Sequence, residues 1–169
     1  MDNGPSLYDD DIVTWAEEQV TALRALAMRG DLSNVVDWAN VIEEIESVGR
    51  ADLERVESAI LQLLIHVLKY ASAPGAQSTK SWRKEVLVFQ ASARRNYRRS
   101  MRQRIDWDAL WSSARKIADS SLGMFGDALL GGLPDHMPFT PEAITAPGFD
   151  MDEALERLAT VLNSDPGHP

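Results

Sequence analysis

Apolar residues recur along most of this chain at helical intervals. The longest run is VVDWANVIEEIESVGRADLERVESAILQLLIHVLKYA, residues 35–71. In it Val41, Ile45, Val48, Leu53, Val56, Ile60, Leu64 and Val67 follow one another in three- to five-residue steps. Leu61, Leu63 and Leu68 widen the stripe in its second half. A half-buried strand would alternate every second residue, whereas this spacing gathers the apolar side chains on one helical face. The deepest core is expected around Ile60, Leu64, Val67 and Leu68. Gly49 offers either a stop or a bend, so two helices with a turn there and one long bent helix both fit. The break is preferred, because the 37 residues of this run would make a very long helix for a small globular domain.

The flanking segments read as amphipathic helices. Asp9, Asp10 and Asp11 precede Ile12, Trp15, Val20, Leu23 and Leu26, so one acid should cap a first helix and the others favour its positive end. Arg29-Gly30-Asp31 should stop that helix near Met28 or Arg29. A second helix is predicted to begin near Ser33 or Asn34. After Pro74-Gly75, residues 73–80 read as a loop, and Ser81 as the cap of a fourth helix over 82–103. Val86, Phe89, Ala93, Tyr97 and Ser100 or Met101 share one side of it. Asp106 should cap a fifth helix, with Ile105 packing on Leu110 as a hydrophobic staple. That helix carries Trp111, Ala114, Ile117, Ala118 and Leu122 toward Leu130, fraying around Gly123 and Gly126. Gly131-Gly132 is a stop. Thr140-Pro141 fits a cap followed by proline at the first helical position. Asp150 and Glu153 fit a capping box before Leu155, Leu158 and Leu162. No stretch reads as a strand. The expected fold is an all-α compact helical bundle of about five main helices with a short C-terminal helix, as one domain over residues 1–162 with a disordered tail over 163–169.

Composition narrows the functional classes. At 169 residues and 44% hydrophobic, the chain can bury a core without cross-links. It has no cysteine, which excludes disulfides, cysteine nucleophiles and thiolate metal sites. The acidic start lacks a secretory pattern, and Ile60–Leu68 is too short to span a bilayer, so a soluble, cytoplasmic protein without membrane contact is expected. The formal net charge of −9 is uneven. Residues 1–70 hold 14 acids and 5 bases, residues 71–116 hold 3 acids and 11 bases, and residues 117–169 hold 9 acids and 1 base. Complementary packing of oppositely charged helices accounts for this most simply.

Three groups of residues carry candidate chemistry. His66 interrupts the most apolar run, and with Glu43 and Glu46 it forms the candidate catalytic and metal-ligating set. Against a di-metal centre, the chain has no Glu-x-x-His and no His-Glu-x-x-His, and a structural imidazole with paired glutamates is the simpler expectation. Arg94, Arg95, Arg98, Arg99 and Arg102 form a candidate basic surface for phosphates or an acidic protein. The overall negative charge disfavours nucleic acid, which leaves a protein partner or homo-oligomer as the expected partner class. Arg50, Lys69 and Arg83 complete a polar network with Glu43, Glu46 and His66, expected to converge where helices meet. The tryptophans read as packing residues. There is no phosphate-binding glycine loop and no serine elbow, and no cofactor is expected.

Taken in order, YDDDIVTWAEEQVTALR, NVIEEIESVGRADLERVESAILQLLIHVLKYASAP, STKSWRKEVLVFQASARR and LPDHMPFTPEAI resemble a bacterial family called domain of unknown function 29. The resemblance spans residues 7–150. Its motif matches Tyr8, Asp11, Trp15, Glu18, Gln19, Leu23, Arg24, Glu43, Glu44, Ile45, Glu46, Ser47, Gly49, Arg50, His66, Lys69, Ser81, Trp82 and Gln90. Ile12 stands where an aromatic is usual, and Tyr70 where tryptophan is frequent. Met137 replaces a frequent cysteine, so a cysteine-dependent site is impossible here. The resemblance implies an all-helical protein without an established activity or cofactor. The function expected from the residues is that of a small helical interaction or scaffold protein. The alternatives are a metal-assisted hydrolase built on Glu43, Glu46 and His66, and phosphate-backbone binding through residues 94–104.

Overall fold

A computed structural model describes residues 6–29 and 36–164. The expected stop at Gly30-Asp31, the start at Ser33 or Asn34, and residues 165–169 of the expected tail lie outside the described residues, while Asn163 and Ser164 of that tail continue the last helix. All regular elements described are helical. In chain order they are α1 (Leu7–Asp10), α2 (Ile12–Ala27), α3 (Trp38–Ser72), α4 (Thr79–Asn96), a 3-10 helix (Arg99–Gln103), α5 (Trp107–Gly123), α6 (Pro141–Ile144) and α7 (Met151–Ser164). The fold is therefore all-α, with α2, α3, α4, α5 and the shorter α7 as its major helices.

The main departure from expectation is at Gly49. Instead of two helices, α3 is one uninterrupted helix of 35 residues, about 50 Å of helix at 1.5 Å per residue. Glycine in a helix costs only about 1 kcal/mol relative to alanine, and here its missing side chain has a use. A Cβ at Gly49 would lie 3.2 Å from the Ala16 Cβ of α2. The glycine lets the two backbones approach, and that contact offsets its poor propensity.

The capping signals fare better. Asp11 caps α2, its carboxylate accepting from the Thr14 amide at 3.1 Å and the Thr14 hydroxyl at 3.0 Å. Asp106 accepts from the Ala109 amide at 3.0 Å and Asp150 from the Glu153 amide at 3.0 Å. Thr140 caps α6 with Pro141 in its first turn. Helix α4 begins at Thr79, two residues before the expected cap Ser81, and ends at Asn96 instead of near Gln103. Tyr97 is extended there, and the Asn96 side chain donates to the Ser92 carbonyl at 2.8 Å. Side-chain competition for the backbone, together with the like charges of consecutive arginine pairs, disfavours another helical turn. Helix α5 stops at Gly123, and Gly126 follows with φ +81°, a conformation natural to glycine.

The chain divides into two compact units, one of Met1–Arg55 with Arg98–Arg104, the other of Val56–Tyr97 with Ile105–Pro169. In the first, Val13, Ala16 and Val20 of α2 are buried, and Met101 of the 3-10 helix is fully enclosed. In the second, Val56, Ile60, Leu63, Leu64, Val67 and Leu68 of α3 have no exposed surface. They share that core with Val86 of α4, Trp111 of α5, Ile144 of α6 and Leu158 of α7. Phe139 links edge-on to Trp111 and Phe149, with ring centroids 6.2 and 5.9 Å apart. The Trp111 indole N–H donates to the Pro134 carbonyl at 2.7 Å, so its polar atom is satisfied.

Candidate functional site

Within the first unit, α2 and the N-terminal part of α3 border a cleft of about 430 Å³. Its apolar lining comes from Val13, Ala16, Val20, Gly49 and Leu53. Seven-residue spacing from Val13 to Val20, about two helical turns, puts both on the face that also carries Ala16. The rim is charged. Arg24 bonds Glu46, and Arg50, one turn further along α3, approaches the same carboxylate at 4.0 Å. Arg104 forms a fork with the Glu17 carboxylate, its Nε donating at 2.6 Å. That hydrogen bond holds the Glu17 carboxyl below the usual glutamate range and raises Arg104 further.

The expected catalytic trio is distributed differently. Glu43, Glu46 and His66 all lie on α3. Twenty residues of one continuous helix separate Glu46 from His66, which corresponds to about 30 Å of axial rise. Glu43 is exposed and Glu46 serves Arg24. The His66 Nδ1–H donates to the Gln62 carbonyl at 2.7 Å, and its ring stacks on Phe89 at 5.8 Å. Among the described residues, no group of three or more histidines, aspartates or glutamates is gathered to hold a metal ion.

The polar network is also split among local pairs. Arg50 belongs to the cleft rim. Lys69 stands 4.9 Å over the Trp82 ring. Arg83 grips the Asp152 carboxylate with two bonds, 2.6 and 3.0 Å, and donates to the Tyr70 hydroxyl at 3.2 and 3.3 Å. The Arg83 guanidinium pulls the Asp152 carboxyl below its usual range. On the loop after α5, His136 bonds Asp108 at 2.8 Å, which raises the imidazole and, with the Met137 amide, lowers the acid.

The arginine run does not form one helical surface. Arg94 and Arg95 are exposed at the end of α4, whereas Arg99 and Arg102 sit on the 3-10 helix. Arg98 is turned toward the chain, its Nε donating to the Asp10 carbonyl at 2.7 Å. The exposed face of α4 is instead longer and mixed. Lys80, Lys84, Leu87, Val88, Ala91 and Arg94 are all exposed, and their spacing places them along one side of the helix. Leu87 and Val88 are 54% and 52% exposed, an apolar centre with bases toward both ends. The first half of α3 carries Val41, Glu44, Val48, Ala51 and Glu54 exposed along one side, together with Arg55, which is bonded to Asp52 at 2.5 Å.

Sequence reasoning missed two features. The cleft was signalled by small Ala16 and Gly49 beside the charges Glu17, Arg24 and Glu46. Gln90 was legible as a polar residue four positions after Val86 and three before Ala93, within the buried phase of α4. It is 6% exposed and donates to the Ile144 and Ala146 carbonyls at 3.3 and 2.7 Å, joining α4 to the end of α6.

Comparison with known proteins agrees with the resemblance in the motifs. No curated protein matches the chain. A crystal structure of an α-helical protein of unknown function from Rhodospirillum rubrum is 30% identical, covering 92% of this chain and 99% of its own, with a TM-score of 0.81. Among the described residues of this chain, no helix is long and apolar enough to cross a membrane. The model of the family described as domain of unknown function DUF29 matches residues 7–150, and the chain belongs to that all-helical family.

Proposed function

We propose that this is a small helical interaction protein, and that its partner is a second copy of the same chain. The observation that carries the reading is the outer face of α4, where Leu87 and Val88 are exposed between Lys80, Lys84 and Arg94. An apolar centre with a charged surround is the usual anatomy of a helix-docking surface. The chain itself supplies a complement on the first half of α3, where Val41, Val48 and Ala51 lie with Glu44 and Glu54, and where the base on that face, Arg55, is paired with Asp52. Opposite charges would set register and speed encounter, while the aliphatic side chains supply the buried area.

Sedimentation velocity over a wide concentration range tests this. The reading predicts concentration-dependent association that weakens in high salt and disappears in the double variant Leu87→Asp, Val88→Asp. Both positions are exposed, so the variant should keep the helical circular-dichroism spectrum and melting temperature of the parent. A single species of 18.8 kDa at every concentration would overturn self-association. Association unchanged by the double variant would overturn the role given to α4.

A further inference from the structure

Apart from that surface, the cleft between α2 and α3 has the makings of a small-molecule site. We propose that it binds one medium-length apolar chain ending in a carboxylate. Its volume of about 430 Å³ falls in the range of about 300–1,000 Å³ usual for small-ligand pockets. Its apolar lining includes Gly49, where α3 packs closely against Ala16 of α2. A ligand lying there would meet Val13, Val20 and Leu53 along its length.

The rim decides the head group. It has three arginines, Arg24, Arg50 and Arg104, and two glutamates, Glu17 and Glu46. Arg104 is matched to Glu17, and Arg24 to Glu46. Arg50 approaches Glu46 only at 4.0 Å, and its side chain is 56% exposed. Of the three rim arginines, Arg50 is thus the one that holds a carboxylate least closely, and it stands beside apolar walls. A carboxylate carries one negative charge and matches the planar guanidinium fork of arginine in two parallel hydrogen bonds. A phosphate monoester, nearly doubly charged at neutral pH, would bring a second negative charge next to Glu46 and Glu17. A cationic head would meet Arg50 directly. Apolar tail and single acid head together give the ligand class.

Isothermal titration of the full chain with decanoate is the test, with acetate and decyltrimethylammonium as comparison ligands. Decanoate is expected to bind once per chain, while acetate, lacking the tail, and the cation, lacking the acid, give no saturable heat. Arg50→Gln should weaken decanoate at least tenfold. Thr21→Trp, at an exposed position on the lining, should fill the mouth and abolish binding. Both variants are expected to melt like the parent. No saturable heat with decanoate would overturn the proposal, as would equal binding of the cation or unchanged binding in Arg50→Gln. Because the α4 double variant leaves the cleft intact, its decanoate affinity should equal that of the parent. Loss of self-association and loss of this site are thus separable results.

Discussion

The two halves of α3 are built from similar apolar residues at similar spacing, yet they meet different surroundings. From Val56 to Leu68, six aliphatic side chains have no exposed surface. From Trp38 to Arg55, Gly49 alone is buried, while Val41 and Val48 are 39% and 44% exposed. In the second half Ala59, Leu63, Ile65 and Leu68 are buried beside the stripe as well, so the buried face is wide. In the first half those places hold Glu43, Glu44, Glu46 and Arg50, and the same spacing yields a narrow face. Periodicity establishes that a segment is helical. How much of it is buried depends on how many flanking positions are apolar as well.

The sharpest way to break the comparison is to truncate matching residues in the two halves. Leu64→Ala should cost about 2–5 kcal/mol by urea denaturation, since it empties part of an enclosed core. Val48→Ala should change stability by less than about 0.5 kcal/mol, because the side chain is exposed and alanine is the better helix former. Losses of equal size would mean that the first half is as buried as the second.

Gly49 gives a smaller, more specific effect. Gly49→Val should destabilise by about 1–3 kcal/mol through crowding against Ala16. Combined with Ala16→Gly, its cost should shrink, and a double-mutant cycle would read the coupling. Additive losses would show that the 3.2 Å approach between these positions is not what limits the site.

Much of the fold could be read from local chemistry. The caps at Asp11, Asp106, Thr140 and Asp150 are decided by a side-chain oxygen and an amide three residues on, and neighbouring sequence contains both. Gly49 left two readings open because glycine has two uses, ending a helix or admitting a neighbour, and the choice was made by Ala16, thirty-three positions earlier. The polar residues suffered most. Glu43, Glu46 and His66 looked like a set by residue type, but whether they meet depends on the continuity of α3. The arginines looked like one surface until the chain left the helix at Tyr97. Partner choice among charged side chains is long-range, as in Arg83 with Asp152 and Arg104 with Glu17, and spacing within one segment does not encode it.

Acid should affect the first unit through Glu17. Its folded-state carboxyl titrates below the ordinary value of 4.5 because Arg104 donates to it. The contribution is therefore present above that ordinary value and lost as pH falls through the lower folded one. Half-exposed as the pair is, the loss should be no more than about 1 kcal/mol. Glu17→Gln should flatten this part of the stability-against-pH profile measured between pH 3 and 6. An unchanged slope would remove the pair from the energetics of the first unit.

Amide hydrogen exchange along α3 tests the central account most directly. One continuous helix with unequal burial predicts protection throughout, including residues 47–53 around Gly49. It should be greatest from Val56 to Leu68, where opening requires disruption of the core, and should decline toward Trp38. Unprotected amides at Gly49 and Arg50 between protected flanks would contradict the account, because they would place a hinge where the structure has an unbroken helix.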